Sequence, residues 1–265
     1  MANSIQSIAR AVKTLECFRP EEPRLSLHEL VARLGWGKST VHRVVNTLVQ
    51  SGVVIRDPRT RQYALGYKLV WLARAVALHR ELQLIALPIM RSLRDATGET
   101  VTLSVVSGRE RVVIQQVESP QEIRSVEAVG LGTPLHCGAS GRLLLAYLPS
   151  RELDAFLEVP LQRYTRLTLT NPRRLRDELV RIRRQDYAVS YGEYSPRVCA
   201  IAAPIRAAEG EVIACMAVLG PRDRVPDSRL GSRRSLLVDA VRRVSDGLFD
   251  ARKNPMTLRR RQSVR

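Results

Sequence analysis

Gly35-Trp36-Gly37-Lys38-Ser39-Thr40-Val41-His42-Arg43-Val44-Val45-Asn46-Thr47-Leu48 is the stretch on which the reading of this 265-residue chain turns. Its two glycines punctuate a four-residue turn over 35–38, and the spacing predicts a helix from there to residue 51, closed by Gly52. Val41, Val44, Val45 and Leu48 fall at i, i+3, i+4 and i+7 and form one apolar face. Ser39, Arg43, Asn46 and Gln50 project roughly opposite, with Thr40, His42 and Thr47 on the flanks. That polar face carries no acid. A merely solvated face usually mixes signs, whereas this one offers only hydrogen-bonding and basic groups. Lys38, Ser39 and Thr40 also stand beside helix-start amides that favour a phosphate.

Upstream, Ser26-Leu27-His28-Glu29 is a capping-box pattern that should start a helix whose buried stripe is Leu27, Leu30, Val31 and Leu34. Helix, short Gly turn, helix is the helix-turn-helix arrangement. Earlier still, Ile5, Ile8, Ala9, Val12, Leu15 and Phe18 recur at helical spacing over 4–18, with Ser4 as the expected N-cap and Pro20 and Pro23 as the stop. Downstream, 53–56 and 62–65 flank Asp57-Pro58-Arg59-Thr60-Arg61, a turn sequence that predicts a hairpin with Arg56, Arg59 and Arg61 at its tip. Beside the acid-free helix, such a hairpin reads as a wing that tracks a phosphate strand or enters a minor groove. The expected DNA contacts are therefore Lys38, Ser39, Thr40, His42, Arg43, Asn46, Arg56, Arg59 and Arg61, within a winged helix-turn-helix domain over 1–66.

Residues 67–80 are too apolar for a solvated linker and read as a helix in need of a partner, either the larger domain or a second copy of the chain. A homodimer is favoured, because two-fold pairing matches DNA half-sites. From 81 the pattern changes. A helix over 83–97 is followed by strands at 100–106, 111–117, 199–205 and 212–220, with helices at 140–148, 151–157, 173–184 and 228–249. Strands grouped apart from the helices predict an α+β domain over 81–250 with a mostly antiparallel sheet. Within it, the small residues of Gly138-Ala139-Ser140-Gly141 open a helix whose amides suit a small carboxylate or carbonyl ligand; a packed turn with no ligand is the other reading.

Charge supports this division. The chain has 43 Lys+Arg against 26 Asp+Glu, a net charge of +17, distributed as +7 over 1–75, +4 over 76–250 and +6 over 251–265. A basic head, a balanced body and a basic, aperiodic tail expected to be disordered imply that one module meets a polyanion. Of the 43 cations 39 are Arg, which fits phosphate recognition or simply GC-rich codon usage. Apolar residues at 45% exclude wholesale disorder, and no stretch approaches the ~20 apolar residues of a membrane span. With no secretory pattern at the N-terminus, a cytoplasmic location is expected.

Catalysis finds little support. Gly138-Ala139-Ser140-Gly141-Arg142 is not a nucleophile elbow, since Arg142 stands where the last Gly belongs. No nucleotide-binding loop is present, and His136, Cys137, Cys199 and Cys215 lack zinc spacing, so neither cofactor nor metal is expected. A metabolite-processing enzyme using Cys137, with an accessory nucleic-acid-binding head, remains the competing reading. A binder of DNA without sequence preference is the third.

The order of pieces resembles the IclR family of bacterial transcription regulators. The resemblance rests on residues 4–11, on Gly37-Lys38-Ser39-Thr40-Val41-His42-Arg43, on Pro134-Leu135-His136-Cys137-Gly138-Ala139-Ser140-Gly141-Arg142, and on 187–193 followed by 200–205. It implies a GAF-like C-terminal effector domain and dimers that often pair into tetramers. It also implies control of a catabolic or metabolic operon by a small organic acid or aromatic metabolite. Carried onto this chain, the family's effector pocket falls at Gly138, Ala139 and Ser140, with Glu193 beside it and Cys199, Ile201, Cys215 and Ala217 as walls. Two departures stand out: Asp186 where the family usually has Gly, and Arg206-Ala207 in place of the signature's end.

Overall fold

The computed structural model describes residues 5–73, 80–224 and 227–253. They fall into two compact units, 1–78 and 79–265.

The first unit contains α1 (Gln6–Leu15), β1 (Arg24–Leu25), α2 (Leu27–Leu34), α3 (Lys38–Gln50), β2 (Val54–Arg56), β3 (Tyr63–Leu65) and α4 (Lys68–Ala73). Both halves of the capping box form: the Ser26 hydroxyl accepts from the Glu29 amide at 3.3 Å, and the Glu29 carboxylate accepts from the Ser26 amide at 2.7 Å. Gly35 then ends α2 in the left-handed region. Val41, Val45 and Leu48 of α3 pack with Leu30, Val54 and Tyr63 into the unit's core. The hairpin β2–β3 gains a third strand, β1, in the order β1-β3-β2. Two residues are too few to show a period, so β1 escaped the sequence reading.

Two expectations about the head need correction. Ser4 lies outside the described residues, and the N-cap position of α1 is Ile5, with no side-chain cap bond. The apolar stripe of α1 does not all face the core: Ile5, Ile8 and Val12 are exposed, while Thr14 and Phe18 are buried. Thr14 is tolerated there because its hydroxyl donates to the Arg10 carbonyl at 2.8 Å. Of the helix expected over 67–80, Lys68–Ala73 is helical and 74–79 lie outside the described residues. Its Val70, Trp71 and Leu72, with the preceding Tyr67, are exposed.

The second unit runs α5 (Arg80–Thr97), β4 (Thr100–Ser107), β5 (Glu110–Val117), β6 (Gly132–Pro134), α6 (Gly138–Ala146), α7 (Ser150–Leu157), α8 (Pro172–Gln185), β7 (Ala188–Tyr191), β8 (Val198–Arg206), β9 (Val212–Pro221) and α9 (Asp227–Lys253). Every strand pairing is antiparallel, in the order β6-β5-β4-β9-β8-β7. The two hairpins read from the sequence are joined through β4 and β9, and the short β6 and β7, not anticipated as strands, form the edges. Side chains alternate across a strand, so each strand feeds two layers. Val101, Leu103, Ile201, Ala203, Met216 and Val218 pack against α5 and α9. Cys215, Ala217 and Ala202 pack on the other side with Leu143 and Leu145 of α6 and Leu175 and Leu179 of α8. The last helix runs on to Lys253 with Ala251 buried, so the first three residues of the expected basic tail belong to it. Residues 254–265 lie outside the described residues.

Candidate functional site

On α3, Lys38, Ser39, His42 and Arg43 are exposed, while Thr40 and Asn46 are half-buried. Gly37 occupies the N-cap and supplies no side-chain bond, so the first amides of α3 stay open to an external acceptor. Asn46 Nδ2 lies 3.3 Å from the His42 ring one turn away, which couples the two polar side chains on this face. The wing is shaped by Asp57, whose carboxylate accepts from the amides of Arg59 at 2.8 Å and Thr60 at 3.1 Å. Those two amides, Thr60 first, hold the Asp57 carboxyl below its ordinary pKa.

The three wing arginines are exposed and spread over two depressions that share Arg56. Arg56 lies over the Tyr63 ring, 5.6 Å from its centroid. Arg61 joins Arg56, Lys38, His42 and His28 along a groove between the start of α3 and the hairpin. Arg59 lines a second depression, with Arg24 and Gln62. The groove is therefore walled by Lys38 and His42 of α3 and by Ser26, Leu27, His28 and Val31 on one side, and by the hairpin with Arg56 and Arg61 on the other.

In the second unit, a cavity of about 210 Å³ lies between the sheet and the start of α6. Gly138 begins that helix at φ 71°, a conformation open to glycine at little cost, and lets Ala139 and Ser140 face the cavity. At Gly141 a Cβ would stand 2.8 Å from the Leu135 carbonyl oxygen, so only glycine lets α6 lie this close to the chain that precedes it.

Two buried arginines organise the polar groups. Arg111 of β5 grips Glu127 with both ends of its fork, at 2.7 and 2.8 Å, and its Nε donates to Thr133 at 2.8 Å. Burial works against its charge, but Glu127 outweighs that and holds the pKa above the ordinary value. Arg142 of α6 reaches Glu178 at 2.6 Å, Glu193 at 2.5 Å and the Val189 carbonyl at 2.5 Å. Glu193 has its pKa raised by burial, against the pull of Arg142 first and then of Ser190 and the Gly138 amide.

Cys137 also touches the cavity, yet burial first, then Glu193, pushes its thiol up to about 12, far from the thiolate a nucleophile needs. His136 does not assist it: its Nε2 donates to the Gln162 carbonyl at 2.8 Å, and its ring sits against Phe156 and Tyr164. Among the described residues no group of three or more His, Cys, Asp or Glu could hold a metal ion.

The sequence pattern described as the IclR helix-turn-helix domain matches residues 7–58, and that described as the bacterial transcriptional regulator IclR C-terminal domain matches residues 74–246. The chain belongs to the IclR family. The transcriptional regulator BhcR of Paracoccus denitrificans is 34% identical over 248 residues, 93% of this chain and 88% of that protein. KipR of Bacillus subtilis is 31% identical over 246 residues, 92% of this chain and 98% of that one. Among solved structures, an IclR homologue from Microbacterium hydrocarbonoxydans complexed with 4-hydroxybenzoate superposes with a TM-score of 0.79 at 27% identity, covering 92% of this chain and 99% of that one. IclR-family members are transcriptional regulators with a helix-turn-helix DNA-binding domain, and this protein is such a regulator and not an enzyme. No described helix is long and apolar enough to cross a membrane.

Set against the residues expected from the IclR resemblance, Gly138, Ala139, Ser140, Glu193 and Ala217 do line the cavity. Cys199 and Ile201 do not: they are one residue out of phase, and Ile201 packs toward α5 and α9 while Val198 and Ala200 take the cavity face. Cys215 is on the correct face but lies beneath α6, its Sγ 3.9 Å from the Ser140 carbonyl. Sequence reasoning missed Thr102, Arg111, Glu127, Thr133 and Ser190, which come from four strands and a loop. Arg111 had one available signal, a charge inside a β-strand pattern that reads as buried. The two departures from the IclR pattern meet each other: Asp186 caps α8 at φ 61° and binds Arg206 at 2.6 Å.

Proposed function

We propose that this regulator reads operator DNA with α3 and the β2–β3 wing, and that a small organic or aromatic metabolite in the α6 cavity controls it. Lys38, Ser39, Thr40, His42, Arg43 and Asn46 enter the major groove, and Arg56, Arg59 and Arg61 hold the flanking backbone. The observation that carries this reading is the acid-free face of α3, at whose edge Lys38 and His42 share a groove with Arg56 and Arg61 of the hairpin. Gly138, Ala139, Ser140, Glu193 and Ala217 contact the metabolite. The 4-hydroxybenzoate held by the Microbacterium homologue supports a ligand of that size class.

The working unit is a homodimer in the cytoplasm. Two apolar surfaces on the head support the pairing: Ile5, Ile8 and Val12 of the first helical segment, and Tyr67, Val70, Trp71 and Leu72 around α4. In this scheme residues 1–66 bind DNA, 67–80 join protomers, 81–250 bind the metabolite, and the basic residues 251–265 add affinity without sequence preference. The metabolite changes the spacing of the two heads by binding one arrangement better than the other.

A salt-controlled gel shift with Arg43→Ala tests the DNA face. Loss of about 1–3 kcal/mol on the operator, with binding to random DNA little changed, is the expected result for a base contact. Equal weakening on both DNAs would instead favour the binder without sequence preference.

A further inference from the structure

We propose that Tyr194 sets the specificity of the cavity: its ring forms one lip of the mouth and stacks against the ring of a small aromatic ligand. The inference rests on the reading of the α6 cavity as the metabolite site and names the class of molecule that site selects.

Exposure locates the mouth. Of the described residues that line the cavity, two are exposed, Val126 at 53% and Tyr194 at 44%. The others are buried or half-buried, so the cavity meets solvent where these two stand. Tyr194 is also the one aromatic residue in that described lining. Its phenol counts among the influences on the Arg111 pKa, after burial, Glu127 and Cys215, which places the ring toward the buried arginine of the cavity wall.

The ring is held in place before any ligand arrives. Its centroid lies 5.0 Å from that of Tyr164 at an interplanar angle of 46°. The His136 ring follows at 6.2 Å from Tyr164, and Phe156 at 6.3 Å from His136. Tyr164, His136 and Phe156 do not line the cavity, so this row of rings backs Tyr194 from the far side. The backbone is braced as well. Gly192, at φ 72°, closes a tight turn around Tyr194, its amide donating to the Val198 carbonyl at 2.8 Å. The buried Thr168 hydroxyl donates to the Glu193 carbonyl at 2.7 Å and accepts from the Tyr164 amide at 3.1 Å, tying the two ring-bearing segments together. A preset aromatic face spares a ligand the cost of ordering it. Aromatic pairs also gain beyond the area they bury, which a saturated ring of similar size does not. The volume of about 210 Å³, below that of drug-sized pockets, suits one ring with a short substituent.

Titration calorimetry on the full chain tests this with ring pairs that share a polar group: benzoate with cyclohexanecarboxylate, and phenol with cyclohexanol. The saturated ring is the more apolar, so burial alone would favour it. In at least one pair the aromatic member should instead bind about threefold to tenfold more tightly, the advantage expected of one aromatic contact. Tyr194→Phe should keep that advantage. Tyr194→Leu, at an exposed position where folding is little at risk, should bring the aromatic member down to its saturated counterpart. Equal binding within both pairs, an advantage that survives Tyr194→Leu, or no binding by any of the four probes overturns the proposal. Ala217→Leu separates this failure from that of the site itself. Ligands that bind without regard to aromaticity but are lost in folded Ala217→Leu protein would leave the cavity as the site and sink only the present inference. Binding indifferent to Ala217→Leu would remove the ligand from the cavity altogether.

Discussion

Asp186 holds φ at 61°, where a side chain is strained, yet its carboxylate accepts from the Tyr147 hydroxyl and from Arg206. Burial first, then that carboxylate, pushes the Tyr147 hydroxyl up to about 12. The pairing is half-exposed and contributes at most about 1 kcal/mol, comparable with what glycine would recover by relieving the backbone. Asp186→Gly should therefore leave stability within about 0.5 kcal/mol in urea unfolding, because the two terms nearly cancel. Asp186→Ala, which keeps the strain and loses the pair, should cost about 1 kcal/mol or more. His136 gives a pH dependence. Burial lowers its pKa, and the bond to Gln162 only partly opposes that. The unfolded chain thus binds a proton more readily, so this contribution is intact above the unfolded value of about 6.5 and is lost as pH falls below it. The urea midpoint should drop between pH 7 and pH 5 by more in the wild type than in His136→Phe; parallel profiles would refute the assignment. The errors at Cys199 and Ile201 also belong to this scale. Strand β8 is buried on both faces over most of its length, so its sequence shows no alternation from which the cavity side can be chosen.

At the scale of elements, α2 and α3 matched expectation because their signals are local: a capping box, a glycine stop and apolar residues three and four apart. Ser26→Ala should cost the head about 1 kcal/mol, seen as a lower midpoint of its thermal transition. Helix α1 shows the limit of the same logic. Its period announces an apolar stripe correctly, but Ile5, Ile8 and Val12 remain uncovered within the single chain, since periodicity does not say what a stripe will meet. For α6 the decisive feature is proximity. A Cβ on Gly141 would be 2.8 Å from the Leu135 carbonyl oxygen and 3.0 Å from that of Pro134, both backbone atoms that cannot swing aside. Gly141→Ala should push α6 outward, destabilise the second unit by about 1–3 kcal/mol and weaken ligand binding in calorimetry.

For the molecule as a whole, the net charge of +17 is less informative than its distribution. The exposed cations of α3 and the wing lie in one small unit, so replacing Arg56, Arg59 or Arg61 singly by Ala should weaken binding to all DNA alike and reduce the salt slope by about 1. Unchanged slopes would remove the wing from the interface. Two arginines of the second unit are spent internally: Arg111 pairs with Glu127 and Arg142 with Glu178 and Glu193. Arg142→Met should be costly, about 3–5 kcal/mol, because it leaves the buried Glu193 carboxylate without its cation, whereas Glu178 keeps Arg181. By itself the sequence determined the helix-turn-helix and wing, the two principal hairpins, the helix that starts at Gly138 and the kinship with the IclR family, all written in residues close along the chain. Tertiary structure alone decided that β4 would pair with β9, which face of β8 would wall the cavity, and that Glu193 would reach Arg142. Caps, turns and periods are fixed by interactions over a few residues, whereas a cavity and its buried charges are set by which distant strands come to lie side by side.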